Sequence, residues 1–209
     1  MNARQPNAPR GLYLLTPDEP DTAQLLARVA AVLPHATWLQ YRNKRADARL
    51  RRGQVQALLP MCRAIGVPLL VNDDWALAAE LGADGAHVGE DDGALADARG
   101  ALGADALLGA SCYDDIDRAR RAVDAGASYV AFGAFFPSPT KPDASVAHKS
   151  LLRQAEALGV PRVAIGGITP DNARQLAAAG ADLVAVISGV FADRHPAAAA
   201  HAYRAALGL

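Results

Sequence analysis

Short apolar runs alternate with longer amphipathic segments along almost all of the 209-residue chain. These runs are predominantly apolar and do not alternate regularly with polar residues, which is typical of strands buried on both faces of a parallel sheet. The predicted strands are Leu12–Leu15, Trp38–Arg42, Pro68–Asn72, Gly85–Val88, Leu107–Ser111, Tyr129–Phe132, Arg162–Ile165 and Leu183–Ile187.

A segment with apolar residues at helical spacing follows each run. The predicted helices are Thr22–Leu33, Ala48–Ile65, Trp75–Leu81, Leu95–Leu102, Ile116–Ala125, Leu151–Leu158, Asn172–Ala179 and Pro196–Leu207. Strand and helix therefore alternate eight times. This alternation predicts the α/β class and, within it, a single-domain (β/α)8 TIM barrel.

Glycine ends several predicted helices directly before the next strand, as in Gly82-Ala83-Asp84 and Gly180-Ala181-Asp182. Glycine takes the left-handed conformation that closes a helix. A doubly wound open sheet would use similar junctions, so they support the α/β class more than barrel closure. The even spacing of the units, and polar residues after most strands rather than after one, favour the barrel.

The composition fits one globular domain in a reducing compartment. Hydrophobic residues make up 51% of the chain and the formal charge is −1, which argues against a nucleic-acid-binding surface. Two cysteines are a poor disulfide framework. The first ten residues lack an apolar run, and no apolar stretch reaches the ~20 residues of a membrane span. We expect a cytoplasmic protein with a flexible tail over residues 1–10 and a catalytic barrel over residues 11–209.

A polar cluster, Gln40-Tyr41-Arg42-Asn43-Lys44, ends the second predicted strand. Alternation along a strand sends Gln40, Arg42 and Lys44 to one side. It sends Tyr41 and Asn43 to the other. Ligands of α/β folds bind beyond the carboxyl ends of the strands, where two cations and an amide suit an anion such as a diphosphate. A solvated loop is the alternative, although an arginine within an α/β core normally needs a partner.

Acidic side chains follow the next two predicted strands. Asp73 and Asp74 follow the third strand, and Glu90, Asp91 and Asp92 follow the fourth. One of Asp73 and Asp74 is expected to cap the next helix. Because adjacent parallel strands end side by side, the two clusters become neighbours, and hard oxygen ligands suit Mg²⁺. With the cationic strand beside them, they predict a metal-diphosphate site.

The fifth predicted strand ends at Ser111, whose hydroxyl is either a hydrogen-bond donor to a ligand or a helix cap. Cys112 has no base implied nearby, which favours a bystander role over that of a nucleophile. His87 on the fourth strand is interpreted as a core-layer residue rather than a general base.

The loops after the last three strands carry further candidate chemistry. The segment Phe135–Pro142 is longer than a simple connection and holds hydroxyls and a lysine, which predicts a functional lid. Gly166-Gly167 and Ser188-Gly189 end the seventh and eighth strands. Their backbone N–H groups can approach a phosphate at the place where such barrels bind one, although packing glycines at a tight turn are the alternative for either loop alone.

Taken together, these motifs resemble the thiamine-phosphate synthase (thiamine-phosphate pyrophosphorylase) family from about Leu12 to Phe191. The motifs that carry the resemblance are Gln40-Tyr41-Arg42-Asn43-Lys44, Asn72-Asp73, Gly82–Gly89, Gly133–Lys141, Ala164–Ile168 and Val186-Ile187-Ser188.

The resemblance implies a transferase that joins 4-amino-5-hydroxymethyl-2-methylpyrimidine diphosphate to 4-methyl-5-hydroxyethylthiazole phosphate and releases diphosphate. In the family, the pyrimidine diphosphate is held by residues that match Gln40, Tyr41, Arg42, Asn43, Lys44, Asn72, Ser111 and Lys141. Mg²⁺ is held by residues that match Asp73 and Asp92. The thiazole phosphate is held by residues that match Ser138, Pro139, Thr140, Gly167, Ile187 and Ser188.

The expected chemistry is a dissociative alkyl transfer. The pyrimidine amino group stabilises a cation as the C–O bond breaks, so the enzyme mainly neutralises diphosphate and aligns the thiazole nitrogen. The residues expected to act in catalysis are Arg42, Lys44, Ser111 and Lys141. The expected partners are small phosphorylated substrates, without nucleic acid or membrane, and a homo-oligomer is an open alternative to a monomer.

Two other functions compete with this one. A thiazole tautomerase-like barrel would shuttle protons and need neither metal nor diphosphate handles, so the presence of Arg42, Lys44, Asp73 and Asp92 together argues against it. A non-catalytic regulator that binds thiamine precursors would bind ligand without releasing diphosphate. Fold alone does not separate these functions.

Overall fold

The strands of the sequence pattern close into a parallel barrel in the computed structural model, which describes residues 9–89, 95–137 and 146–209. The strands are β1 Gly11–Leu15, β2 Trp38–Tyr41, β3 Leu69–Asn72, β4 Gly85–Val88, β5 Leu107–Tyr113, β6 Tyr129–Phe132, β7 Arg162–Ile165 and β8 Leu183–Val186. Each strand pairs with the next one in the chain, and β8 pairs with β1. The predicted (β/α)8 barrel is confirmed. Most of the predicted tail, residues 1–8, lies outside the described residues.

Helices cover the outside of the barrel. They are α1 Thr22–Val32, α2 Ala48–Ile65, α3 Trp75–Leu81, α4 Leu95–Leu102, α5 Ile116–Asp124, α6 Ser150–Gln154, α7 Pro170–Ala179, α8 Ser188–Phe191 and α9 Pro196–Ala206. Short 3₁₀ turns extend α1 and α6. Asp21, Asp47 and Asp74 begin their helices by accepting a backbone N–H, whereas Gly66 and Gly180 end α2 and α7 with positive φ. The predicted glycine junctions therefore close helices.

Strand alternation divides the core into two layers. Side chains inside the barrel form one cluster: Tyr13, Leu15, Trp38, Leu70, Tyr129, Ala131, Val163, Leu183 and Ala185. The intervening positions, such as Leu14, Leu39 and Val71, face the helices and join the larger outer cluster. This alternation positions the site, because each inward column continues to the carboxyl end of its strand.

Polar groups at the amino-terminal end of the barrel are used to fix the backbone. The Arg162 guanidinium pairs with the Asp182 carboxylate at 3.0 Å and donates to the Leu152 carbonyl, also at 3.0 Å. The Asp84 carboxylate accepts from the Leu69 N–H at 2.8 Å. These contacts join neighbouring strands before the strands enter the core. In the ranges described above, no helix is long and apolar enough to cross a membrane.

Candidate active site

The loop after β1 holds the cationic end of β2 in place. The buried Thr16 hydroxyl accepts from the Arg42 N–H and contacts the Arg42 carbonyl, both at 2.8 Å. The Asp18 carboxylate accepts from the Lys44 N–H at 2.8 Å and from the Arg42 guanidinium at 3.3 Å. These contacts fix the backbone at Arg42 and Lys44, so the two cations follow Gln40 out of the barrel at its carboxyl end.

Tyr41 and Asn43, which alternate with Gln40, Arg42 and Lys44, face the helical layer. The Tyr41 hydroxyl donates to the Gln54 side chain at 2.8 Å, and the Asn43 amide donates to the Glu19 carbonyl at the same distance. Both side chains are buried against α2. The structure brings Gln40, Arg42 and Lys44 to the mouth of the barrel, which is the end where its strands terminate. It turns the side chains of Tyr41 and Asn43 away from the mouth, as strand alternation predicts. A ligand at the mouth meets only the backbone of these two residues.

Two adjacent carboxylates after β3 have different surroundings. Asp74 caps α3 by accepting from the Leu77 N–H at 3.0 Å, and it pairs with Arg51 at 3.0 Å. Asp73 has a positive φ of 65°, and its carboxylate lies 3.8 Å from the Lys44 ammonium. The expected helix cap is therefore Asp74. Asp73 is held beside the cationic strand end in a conformation that is uncommon for residues other than glycine.

A chain of hydrogen bonds crosses the inside of the barrel beneath the mouth. The Gln40 amide nitrogen donates to the Tyr13 hydroxyl at 2.6 Å, and the Tyr13 and Tyr129 hydroxyls lie 2.8 Å apart. His87 Nδ1 lies 2.9 Å from the Tyr129 hydroxyl, and His87 Nε2 lies 2.9 Å from Ser111 Oγ. The expected core-layer position of His87 is confirmed. These hydrogen bonds connect Gln40 and Ser111, two residues predicted to bind the pyrimidine diphosphate.

The structure decides between the alternative roles that the sequence left open for two residues of β5, Ser111 and Cys112. The cap of α5 is Asp115, so Ser111 does not begin this helix. Cys112 faces the outer layer and is fully buried, and this burial raises the pKa of its thiol to about 12. A thiol that stays protonated is a poor nucleophile, so the interpretation of Cys112 as a bystander holds.

The loops after β7 and β8 lie side by side at the same end, because their strands are paired. Gly167 has a φ of 60°, and a Cβ built there would lie 2.5 Å or less from the carbonyl oxygens of Phe136 and Pro137. The β7 loop therefore packs directly on the start of the β6 loop. Ile187 packs against the interior cluster, and Ser188 is exposed at the start of α8.

Several predicted site residues lie outside the described residues. They are Asp92, Ser138, Pro139, Thr140 and Lys141. Across residues 9–89, 95–137 and 146–209, no group of three or more His, Cys, Asp and Glu side chains could hold a metal ion. Asn72 ends β3 two residues beyond the inward Leu70, in register with His87.

Sequence reasoning missed the residues that support this end of the barrel. Tyr13 and Tyr129 lie within apolar runs that form buried strands, and a buried tyrosine hydroxyl needs a hydrogen-bond partner. The sequence therefore did indicate that these two residues have polar partners inside the barrel. Thr16 and Asp18 precede α1 in a segment that resembles an ordinary helix start, so nothing local connects them with Arg42.

Known proteins match this chain over nearly its full length. The family model described as thiamine monophosphate synthase (TMP-TENI) matches residues 12–190. A thiamine-phosphate synthase of Xanthomonas campestris pv. campestris (strain 8004) is 62% identical over 94% of this chain and 95% of its own length. One of Xylella fastidiosa (strain Temecula1) is 55% identical over 94% of this chain and 84% of its own.

A solved structure agrees with the sequence matches. The thiamine phosphate pyrophosphorylase of Pyrococcus furiosus superposes with a TM-score of 0.83 at 31% identity, over 95% of each chain. The family match, the relatives and this structure lead to one assignment: the chain belongs to the thiamine monophosphate synthase family.

Proposed function

We propose that this chain joins 4-amino-5-hydroxymethyl-2-methylpyrimidine diphosphate to 4-methyl-5-hydroxyethylthiazole phosphate, forming thiamine phosphate and diphosphate by a dissociative alkyl transfer. Membership of the family makes the chain a thiamine-phosphate synthase, a transferase of thiamine biosynthesis. The observation that carries the finer proposal is that Lys44 and Asp73 pair just beyond the ends of β2 and β3, while Gln40 and Ser111 are joined by hydrogen bonds inside the same barrel. Groups suited to a diphosphate and groups suited to a heterocycle thus share one mouth.

The diphosphate interacts with the cationic end of β2. Thr16 and Asp18 hold the backbone of Arg42 and Lys44, and Asp18 also pairs with the Arg42 guanidinium, so the strand end that carries both cations is formed before the substrate arrives. Charge on the departing oxygen grows as the C–O bond breaks, and fixed cations stabilise this charge more than that of the ground state. Lys141, outside the described residues, is proposed to add a third cation from the β6 loop.

The family is consistent with a metal cofactor, and we propose Mg²⁺. Asp73 offers a carboxylate at the mouth, and Asp92, which follows β4, is proposed as the second ligand. Hard oxygen donors next to a diphosphate fit this ion. When bound, Mg²⁺ would neutralise part of the charge on the leaving group. Asp73 would then exchange its pairing with Lys44 for the metal and free that cation for the diphosphate.

The thiazole phosphate occupies the opposite side of the mouth. Gly167, Ile187 and Ser188 are proposed to hold its phosphate through the paired β7 and β8 loops, with Ser138, Pro139 and Thr140 from the β6 loop. Its ring nitrogen then faces the pyrimidine methylene carbon. Holding the two reactants in line replaces a bimolecular encounter, so no protein nucleophile is needed.

The cellular setting is proposed with the same reaction. Both substrates are small phosphorylated molecules, and we place the enzyme in the cytoplasm with residues 11–209 as its catalytic domain.

The experiment is a two-substrate assay on the purified chain. Thiamine phosphate and diphosphate should form in equal amounts, only when both substrates and a divalent metal are present. Replacing the pyrimidine methyl group by trifluoromethyl should slow the reaction by several powers of ten, since each ~1.4 kcal/mol added to the barrier costs tenfold. Absence of thiamine phosphate with the native pair would overturn the assignment. Comparable turnover of the trifluoromethyl substrate, with chemistry rate-limiting, would overturn the dissociative path.

A further inference from the structure

The hydrogen-bond chain inside the barrel takes one direction when the Gln40 amide is oriented with Nε2 towards the Tyr13 hydroxyl. An amide NH₂ group only donates, so Tyr13 accepts from Gln40 and sends its own proton to Tyr129. The Tyr129 proton then goes to His87 Nδ1. A neutral His87 carries its proton on Nε2, where it donates to Ser111 Oγ. The Ser111 hydroxyl proton is thereby directed to an acceptor other than His87.

The two tyrosines keep their protons, which this direction requires. Both hydroxyls are buried in the barrel, with Tyr13 1% and Tyr129 0% exposed. Burial raises the pKa of both phenols above the ordinary value of 10.0. Each therefore accepts from one neighbour and donates to the next wherever the protein is folded.

The Gln40 end of this hydrogen-bond chain supplies an acceptor that indicates a ligand. Gln40 is 1% exposed, and its Oε1 is buried without a hydrogen-bond partner among the described residues. An unpaired buried acceptor costs free energy, so such groups are normally satisfied by a ligand or by water. Turning the amide over, so that it offered a donor instead, would require every bond of the hydrogen-bond chain to reverse and the His87 proton to move from Nε2 to Nδ1.

The proposed pyrimidine substrate carries one kind of donor that matches this acceptor. Its ring nitrogens and ionised diphosphate only accept, whereas its exocyclic 4-amino group donates. The buried Gln40 oxygen is therefore suited to the amino group, and Ser111, as a donor, is suited to a ring nitrogen or a phosphate oxygen.

The aromatic rings hold the chain in position. Trp38 packs edge-on against Tyr13 at 5.4 Å and lies 4.9 Å from the Tyr129 ring, and His87 stacks on Tyr129 at 5.6 Å. Gly109 leaves room for Tyr129, since a Cβ there would lie 1.9 Å from the ring. We call the hydrogen-bond chain from Gln40 through Tyr13, Tyr129 and His87 to Ser111 the relay. A Tyr→Phe change thus removes one hydroxyl oxygen from the relay and leaves the ring packing intact.

We propose that Tyr13, Tyr129 and His87 are positioning residues that select the 4-aminopyrimidine, by fixing the Gln40 oxygen as an acceptor and the Ser111 hydroxyl as a donor. The proposal rests on the function proposed above for its ligand. It assigns no contact with the substrate to the three relay residues themselves.

The first test compares binding of two ligands that cannot lose diphosphate. They are the monophosphates of 4-amino- and of 4-oxo-5-hydroxymethyl-2-methylpyrimidine, titrated by calorimetry. The oxo compound presents an acceptor where the amino compound presents a donor. The native protein should prefer the amino compound by at least about tenfold. In Tyr13→Phe and Tyr129→Phe this preference should fall to about two- or threefold, because the amide can then rotate.

Ser128→Ala is the matched control, since it removes a hydroxyl that bonds Leu108 at the other end of the barrel. It should keep the native preference. A Tyr13→Phe variant that melts like the native protein and retains the full preference would overturn the proposal. So would an equal loss of affinity for both ligands, which indicates a loosened barrel rather than a released amide.

The second test measures the His87 tautomer in the native protein by ¹⁵N NMR, with His87→Gln identifying its signals. The relay requires a proton on Nε2 and none on Nδ1. A proton on Nδ1 instead would reverse the direction and overturn the proposal, even if a tyrosine variant failed to fold. Neither test needs turnover, so a native protein without synthase activity would overturn the proposed function while leaving these results readable.

Discussion

The two ends of the barrel use polar side chains in opposite ways. At the amino-terminal end, Arg162 and Asp182 are 4% and 5% exposed, and their polar atoms bond to each other and to the backbone. At the carboxyl end, Lys44 and Asp73 are 3.8 Å apart with side chains 60% and 36% exposed. The first pair is held in one arrangement, whereas the second can exchange its contact for a ligand.

The difference teaches how one fold separates stability from chemistry. Bonds completed within the protein fix the starts of β3, β7 and β8, and so help to determine where these strands end. At the other end, Gln40 keeps an acceptor without a partner in the described structure. Polar atoms at the mouth that lack a hydrogen-bond partner within the protein cost some stability and become available to bind a ligand.

The largest expected effect is on folding, at the amino-terminal end. Asp182→Ala leaves the buried Arg162 charge without its partner, so the free energy of unfolding in urea should fall by about 3–5 kcal/mol. Michaelis constants of the molecules that remain folded should not change. Glu80→Ala breaks the exposed pair with Arg52 and should alter stability little. A loss for Asp182→Ala no larger than that of Glu80→Ala would remove the distinction between the ends.

A slightly smaller effect is expected on turnover, at the carboxyl end. Arg42→Ala removes a charge from the proposed diphosphate site, so turnover should fall by ~10²–10³, as for other lost electrostatic donors. Stability should change by less than about 1 kcal/mol, because the pair with Asp18 is partly exposed. Arg52→Ala, on the outer surface, should turn over normally. Unchanged turnover with a raised Michaelis constant for the thiazole phosphate would show that Arg42 binds the thiazole phosphate and not the diphosphate.

The third prediction concerns the two buried cysteine thiols, which should affect the pH dependence of stability in the same way. Burial raises the pKa of the Cys62 and Cys112 thiols from 9.0 to about 12. Unfolded thiols lose their protons first, so their contribution to stability is complete below pH 9.0 and declines between pH 9.0 and about 12. The slope is about 1.4 kcal/mol per pH unit for each thiol.

Urea unfolding is best measured between pH 9 and pH 10, where the thiols contribute more to the slope than the tyrosines whose pKa is raised from 10.0, namely Tyr13, Tyr41, Tyr129 and Tyr203. The double variant Cys62→Ala, Cys112→Ala should show a flatter decline than the native protein. Equal slopes for the two proteins would mean that these thiols ionise in the folded state as readily as in the unfolded chain.

The smallest effect distinguishes two neighbours at the mouth. Asp74→Ala removes the α3 cap and should cost about 1 kcal/mol of stability with turnover retained. Asp73→Asn should keep stability, since Asn tolerates the left-handed conformation, and lower activity at limiting metal. Partial recovery at high metal concentration would support a ligand role. Normal activity of Asp73→Asn at limiting metal would contradict it.

The sequence predicted elements best where local signals agree. The bounds of β4, β6, β7, α2, α3 and α4 match the prediction, because apolar runs, helical spacing and terminal glycines are read within a few residues. The α8 helix was missed because Ser188–Phe191 is too short to show a helical period. The β5 strand runs on to Tyr113 through an irregular pairing with β6, which depends on the neighbouring strand.

The site was predictable as a set of strand ends but not as a network. Strand alternation alone gives the directions of Gln40, Arg42 and Tyr41. It does not show that Tyr13 meets Tyr129, which lies 116 positions away in the chain. Partners across a barrel depend on how many strands close it and with what stagger, and these are global quantities.

Gly109 limits the routes by which mutation can change the interior of this barrel around Tyr129. Any side chain there collides with the Tyr129 ring, while loss of that ring breaks the relay and empties the space that glycine protects. Positions 109 and 129 are therefore epistatic: a larger residue at the first is tolerated only after a smaller one at the second. A descendant with a side chain at position 109 has to pass through a less stable or less selective intermediate, or acquire both changes together.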